Sequence, residues 1–199
     1  MLVFWRERLV LLSVPKTGTT ALEGALHGRA SLVTRMAPTL KHLPFTGYRT
    51  LVLPLLEAAG ARDFRSVAVV RHPVSWLSSW YRYRQREEIA GQPNSTRGLT
   101  FDDFVRDYAS DAPPPHAAVG SQAKFVRTVR GRIGVDHLFR YEEPERLLAF
   151  LEERLGPLPP LPRANVSPVL ETPLSAEGEA LLRAARPEEF EVWEAAGRR

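Results

Sequence analysis

The sequence predicts a single α/β domain: a parallel sheet flanked by helices. Three observations predict it. Short apolar runs at 9–14, 66–70 and 135–139 are leucine-rich or β-branched and end in polar turns, as buried parallel strands do. Helix-period patterns of ordinary length lie between them, the alternation of βαβ units. The chain has 199 residues, 44% hydrophobic and 25% charged, enough to bury one sizeable core.

Taken in order, 9–14 is the first strand, and the turn that closes it leads into a helix over 19–27. A short strand is expected near 30–34. A helix over 50–59 follows, with Pro54 standing against its regularity. Strand 66–70 feeds a helix over 73–88, where Pro73 suits the first helical position. The polar, punctuated stretch AGQPNSTRG (90–98) is a loop or lid. A helix over 101–108, strand 135–139 and a helix over 144–155 complete the alternation. The segment 156–173 holds six of the 17 prolines and is expected to wrap the domain in extended form. Residues 174–196 return to helical pattern, split in two by Pro187, and pack on the same domain.

Composition narrows the chemistry. There is no cysteine, which excludes disulfides, thiolate catalysis and cysteine-bound zinc. No apolar stretch approaches the roughly 20 residues that cross a bilayer. Residues 1–10 already carry Arg6, Glu7 and Arg8 and run into the first strand, leaving no room for a signal peptide, so a cytoplasmic location is expected. The net charge is +4, and 24 of the 27 basic residues are arginine, so Lys16 stands out. The surplus suits an anionic ligand.

Two stretches carry that chemistry. In Pro15-Lys16-Thr17-Gly18-Thr19-Thr20, Gly18 permits a sharp turn, the following amides open a helix where anions are favoured, and Lys16 and the threonine hydroxyls can reach phosphate oxygens. A Walker A loop is excluded, because Lys16 precedes Gly18 and no glycine lies upstream. The second stretch begins with Arg71, at the carboxyl end of its strand. Ser79 lies about two turns along the next helix, so both can hold one phosphate. Trp76, Trp80 and Tyr83 share one stripe and are expected to face the core. The arginines of Trp80–Arg86 then form a solvated face rather than a nucleic-acid surface.

Two phosphate sites at the carboxyl ends of two strands imply a ligand with phosphate at both ends. In these residues the chain resembles the sulfotransferases that use 3′-phosphoadenosine 5′-phosphosulfate (PAPS), in particular the bacterial and Golgi-type carbohydrate branch. The resemblance implies a P-loop NTPase-like fold. It implies that residues 15–20 hold the 5′-phosphosulfate, and that Arg71 and Ser79 hold the 3′-phosphate. Ser121-Gln122, the run from Val135 to Glu142, and Asn165-Val166-Ser167 extend it downstream. Two family features are missing: Ala21 replaces the aromatic that follows the loop in cytosolic small-molecule enzymes, and Arg130-Gly131-Arg132 is a poor match to their C-terminal cofactor element.

The implied reaction moves a sulfuryl group to an acceptor hydroxyl or amine and leaves adenosine 3′,5′-bisphosphate, with Lys16 stabilising the leaving oxygen and no metal required. The acceptor proton needs a general base. By the resemblance His42 takes that role, while relatives with a glutamate base keep Glu23 open. His72, between Arg71 and Pro73, is expected to shape the phosphate site, whereas His27, His116 and His137 read as helix-end, loop and strand residues. The acceptor, a small molecule or carbohydrate, is expected to meet loops 42–48, 90–98 and 111–120, with Arg97 and the nearby basic helix face contributing charge. The competing readings are a nucleotide or small-molecule kinase and a non-catalytic nucleotide-binding protein.

Overall fold

A computed structural model describes residues 1–161 and 170–197. Five strands form one open sheet in the order β3-β1-β2-β4-β5. β1 (Leu2–Phe4) and β2 (Leu9–Leu11) are an antiparallel hairpin with Val3 opposite Val10. β3 (Leu32–Val33) adds to the outer side of β1, also antiparallel. β4 (Arg65–Val70) and β5 (His137–Arg140) run parallel to β2.

The sheet is therefore mixed, which corrects the expectation of a parallel one. Strands β2, β4 and β5, foreseen at 9–14, 66–70 and 135–139, are parallel as expected. The antiparallel edge comes from β1, a three-residue strand too short to show a period. Only four residues join it to β2, and a parallel return needs a crossover of a dozen or more.

Alternating side chains bury both faces of the sheet. Leu2, Phe4, Leu9, Leu11, Val67 and Val69 pack with Leu22 and Leu26 of α1 (Thr19–Leu26) and Leu147, Leu151 and Leu155 of α8 (Pro144–Leu155). Val3, Val10, Leu12, Ala68, Val70 and Leu138 face the other way. They meet Phe45 of α3 (Phe45–Gly47), Leu53 and Leu56 of α4 (Leu53–Ala58), Val126 of α7 (Gln122–Val126) and Val192 of α10 (Pro187–Ala196). A third cluster joins α5 (Pro73–Arg84), α6 (Phe101–Ala109), α9 (Ala176–Ala185) and α10 through Trp76, Phe104, Tyr108, Leu182 and Phe190.

Proline and capping chemistry set the helix limits. Pro73, Pro144 and Pro187 each sit in a first turn, where their missing N–H leaves no bond unmade. Pro54 does the same for α4, so the helix expected over 50–59 begins instead as a π-helical turn at Tyr48–Val52. α5 ends at Arg84, short of the expected 88, and a 3₁₀ turn covers Glu87–Ile89. α6 opens on a capping box between Thr100 and Asp103. The short helices α2 (Pro38–Lys41), α3 and α7 lack enough turns to show a sequence period. Of the segment expected over 156–173, residues 162–169 lie outside the described residues, and Asn165-Val166-Ser167 with them. Among the described residues no helix is long and apolar enough to cross a membrane.

Candidate functional site

The three parallel strands end on one side of the sheet, and the residues singled out in the sequence gather there. The turn after β2 is held from below. Thr17 Oγ1 donates to the Val14 carbonyl at 2.9 Å, and Trp76 Nε1 donates to that of Pro15 at 3.0 Å. Arg71 Nη1 donates to the Lys16 carbonyl at 3.4 Å. The three carbonyls that would repel an anion are thus taken up by donors. Lys16 and Gly18 both adopt left-handed backbone, at φ 65° and 76°. Glycine is required at position 18, because a Cβ there would meet Tyr141 Cε2 at 3.2 Å with an unfavourable φ. Gly18 caps α1 without a side chain, so no capping side chain bonds the first-turn amides.

Arg71 follows the last residue of β4. Its backbone N–H donates to Gln122 Oε1 at 2.8 Å, and Gln122 Nε2 donates to its carbonyl at 2.8 Å. Its Nε donates to Ser75 Oγ at 2.7 Å, and its guanidinium lies 4.4 Å from the centroid of the Tyr141 ring. Ser79 is buried two turns along α5 and lines the same cleft.

That cleft holds about 950 Å³ and brings together residues 15–20, His42, Arg71 and Ser79. Lys16, Arg71, Arg82, Arg86 and Arg140 line it, and among the described residues no carboxylate does. Of the five, only Arg140 is ion-paired among the described residues, to Glu143 at 3.1 Å. The Lys16 ammonium sits over Tyr83 at 4.3 Å and Trp80 at 5.5 Å, and Arg86 lies over the same Tyr83 ring at 4.8 Å. Burial, helped by Arg86, Arg71 and Arg82, brings the Lys16 pKa down to about 8. Four unbalanced cations make the cleft a strong field for an anion.

This corrects the expected layout of α5. Trp76 is core, 1% exposed, and Trp80 packs half-buried against that core while also lining the cleft, whereas Tyr83 lines the cleft. The arginines of Trp80–Arg86 are not a solvated face: Arg82 and Arg86 line the cleft, and Arg84 is buried, donating to the carbonyls of Pro115 and His116.

His42, at the end of α2, lines the cleft opposite. Its Nδ1 donates to the Ser13 carbonyl at 2.7 Å. In the neutral ring that leaves the Nε2 lone pair free of this bond. Burial holds its pKa below the ordinary imidazole value. Glu23 does not line the cleft and is clasped by Arg35 at 2.5 Å and Lys41 at 3.2 Å. Burial raises its pKa, but those two partners outweigh the effect and lower it. The His72 ring does not line the cleft; it packs edge-on against Trp193 at 4.8 Å. His27 bonds carbonyls of α1, His116 bonds Asp107 at 2.6 Å, and His137 packs on Phe150.

Of the three loops expected to meet an acceptor, only 42–48 reaches the cleft, through His42; neither 90–98 nor 111–120 lines it. Arg97 is paired with Glu87 at 2.5 Å, and residues 130–132 lie outside the lining, beyond the Arg127–Ile133 bridge. Sequence reasoning gave no site role to Tyr83 or Trp80 and offered the basic face of Arg82 and Arg86 only to an acceptor, because a helix face alone does not say which neighbour it meets. Nor did it foresee Pro144, Leu147 and Leu148, which form an apolar wall from α8. Comparison with models of known families, with curated proteins and with solved structures gave no match.

Proposed function

We propose that the chain is a PAPS-dependent sulfotransferase on a P-loop NTPase-like fold, moving a sulfuryl group to a hydroxyl or amine of a carbohydrate or glycoconjugate. One observation supports the reading: the two stretches at the carboxyl ends of adjacent parallel strands open into one cleft, where four cations meet no acid among the described residues. A donor with phosphate at C3′ and phosphosulfate at C5′ carries charge at both ends and fits that pair. A kinase is the weaker reading, because the turn lacks the Walker spacing.

The residues divide the work. The turn amides and the hydroxyls of Thr19 and Thr20 bind the 5′-phosphate, while Arg71 and Ser79 bind the 3′-phosphate. Lys16 leaves its aromatic rest to neutralise the oxygen that bridges phosphorus and sulfur, where charge builds as the bond breaks. His42 Nε2 takes the acceptor proton as the acceptor oxygen or nitrogen bonds to sulfur, and the electron pair of the broken S–O bond stays on the 5′-phosphate. The Ser13 carbonyl fixes the ring for this and stabilises the imidazolium that forms.

Calorimetric titration with adenosine 3′,5′-bisphosphate in EDTA tests the reading on the native chain, Lys16→Ala and Arg71→Ala. Micromolar binding, lost in Arg71→Ala and weakened in Lys16→Ala, is expected. No binding to the native chain, with magnesium-ATP bound instead, would overturn it in favour of the kinase.

A further inference from the structure

Arg71 is held by a neighbour that touches none of the expected ligand. Gln122, 1% exposed, opens α7, and its amide forms a two-bond clamp with the Arg71 peptide, 2.8 Å at the N–H and 2.8 Å at the carbonyl. β4 has ended here, so these groups have no strand partner, and Gln122 stands in for the missing ladder. Behind it lies a second buried group. Glu189 of α10, also 1% exposed, accepts from the Gln122 N–H at 3.1 Å, the Ala123 N–H at 3.3 Å and the Ser121 hydroxyl. A carboxylate that caps the first turn of α7 fixes where Gln122 starts.

We propose that Gln122, seated by Glu189, is a positioning residue that sets selectivity for a 3′-phosphorylated nucleotide by fixing the Arg71 peptide, and so the line along which its guanidinium enters the cleft. This rests on the sulfotransferase reading, in which Arg71 meets the 3′-phosphate. The guanidinium is steadied by Ser75, Tyr141 and the Lys16 carbonyl. All three contacts depend on where the backbone places the Arg71 Cα. A buried amide with both polar atoms paired to one peptide leaves that peptide a single position.

The two cradles can be read apart by two probes, adenosine 3′,5′-bisphosphate and adenosine 5′-phosphate, since only the first needs Arg71. Gln122→Met keeps the side-chain length and removes both bonds. The bisphosphate dissociation constant is expected to rise about tenfold while that of the 5′-phosphate changes less than twofold, collapsing their ratio. A folded Gln122→Met protein with an unchanged ratio, or with both affinities reduced equally, would overturn the proposal and leave Gln122 a structural residue. If Gln122→Met does not fold, Glu189→Ala and Glu189→Gln carry the test: the ratio falls in the first and is largely restored in the second, which keeps a carbonyl oxygen for the α7 amides. Equal ratios in both variants also overturn it. A native chain that does not distinguish the two probes refutes the sulfotransferase reading itself, a separate outcome.

Discussion

His42 and Lys16 face one cleft and must hold opposite protonation states for the proposed chemistry. His42 acts without its proton, and burial depresses its pKa, so the base is in its working form from below the ordinary imidazole range upward. Lys16 acts with its proton, and its pKa of about 8 sets an upper limit. The profile of kcat/KM against pH should therefore be a bell, its acid limb displaced below the ordinary imidazole range and its alkaline limb falling near about 8. In kcat the alkaline limb moves upward, because a bound phosphosulfate favours charged lysine. His42→Ala should lower kcat by about 100-fold or more, within the range of general-base catalysis, and change bisphosphate affinity little. It should also erase the acid limb and leave the alkaline one. A variant that keeps the acid limb would show that another group accepts the proton.

At the scale of the element, α5 supplies one wall of the cleft at the strand ends. Ser79, Arg82 and Tyr83 of the helix line the cleft with Arg86, which lies just past its end, and the Tyr83 ring carries both Lys16 and Arg86. Neither arginine has a carboxylate partner among the described residues, so their field is spent on the cleft. Removing both as Arg82→Ala/Arg86→Ala should weaken bisphosphate binding about tenfold at low salt and flatten its dependence on salt, read by calorimetry from about 50 to 300 mM. The Lys16 pKa should rise as two like charges leave, moving the alkaline limb up. An unchanged salt slope would mean that both arginines point their charge elsewhere.

The same element shows what a sequence can disclose. Its start was legible because Pro73 follows a strand of buried β-branched residues, and α8 and α10 were legible through Pro144 and Pro187. The turn 15–20 was legible because six consecutive residues carry its chemistry. What stayed hidden depends on contacts between distant segments. The face of α5 that lines the cleft is decided by Lys16 folding onto Tyr83, and the Gln122 clamp spans 51 residues. β1 was hidden for a local reason: three apolar residues before a four-residue turn carry no period.

Across the whole molecule, Glu189 ties the third helical cluster to the sheet and does so at a thermodynamic cost that depends on pH. It lies between α7 and α10, close to Tyr108 of α6, with no basic partner among the described residues. Burial outweighs its three donors and pushes its pKa up from 4.5 to about 7. A carboxyl whose folded pKa is raised favours folding fully below its unfolded pKa, and that advantage fades as pH rises through the folded value. From about pH 4.5 to about 7 it should therefore lose about 3 kcal/mol of its contribution. His42 and His72 act in the opposite sense over part of this range, since burial lowers both and their neutral forms stabilise the fold as pH rises. The comparison that isolates Glu189 is therefore between the native chain and Glu189→Gln, in which both histidines are kept. Urea unfolding at pH 5, 6, 7 and 8 should give a stability difference that moves in favour of the variant by about 2 to 3 kcal/mol from the lowest pH to the highest. The steepest change should lie between the unfolded and folded values, at about pH 5.5 to 6, with the difference levelling off above about 7. Parallel stability curves would place the Glu189 pKa in the ordinary carboxylate range, with its three donors outweighing its burial.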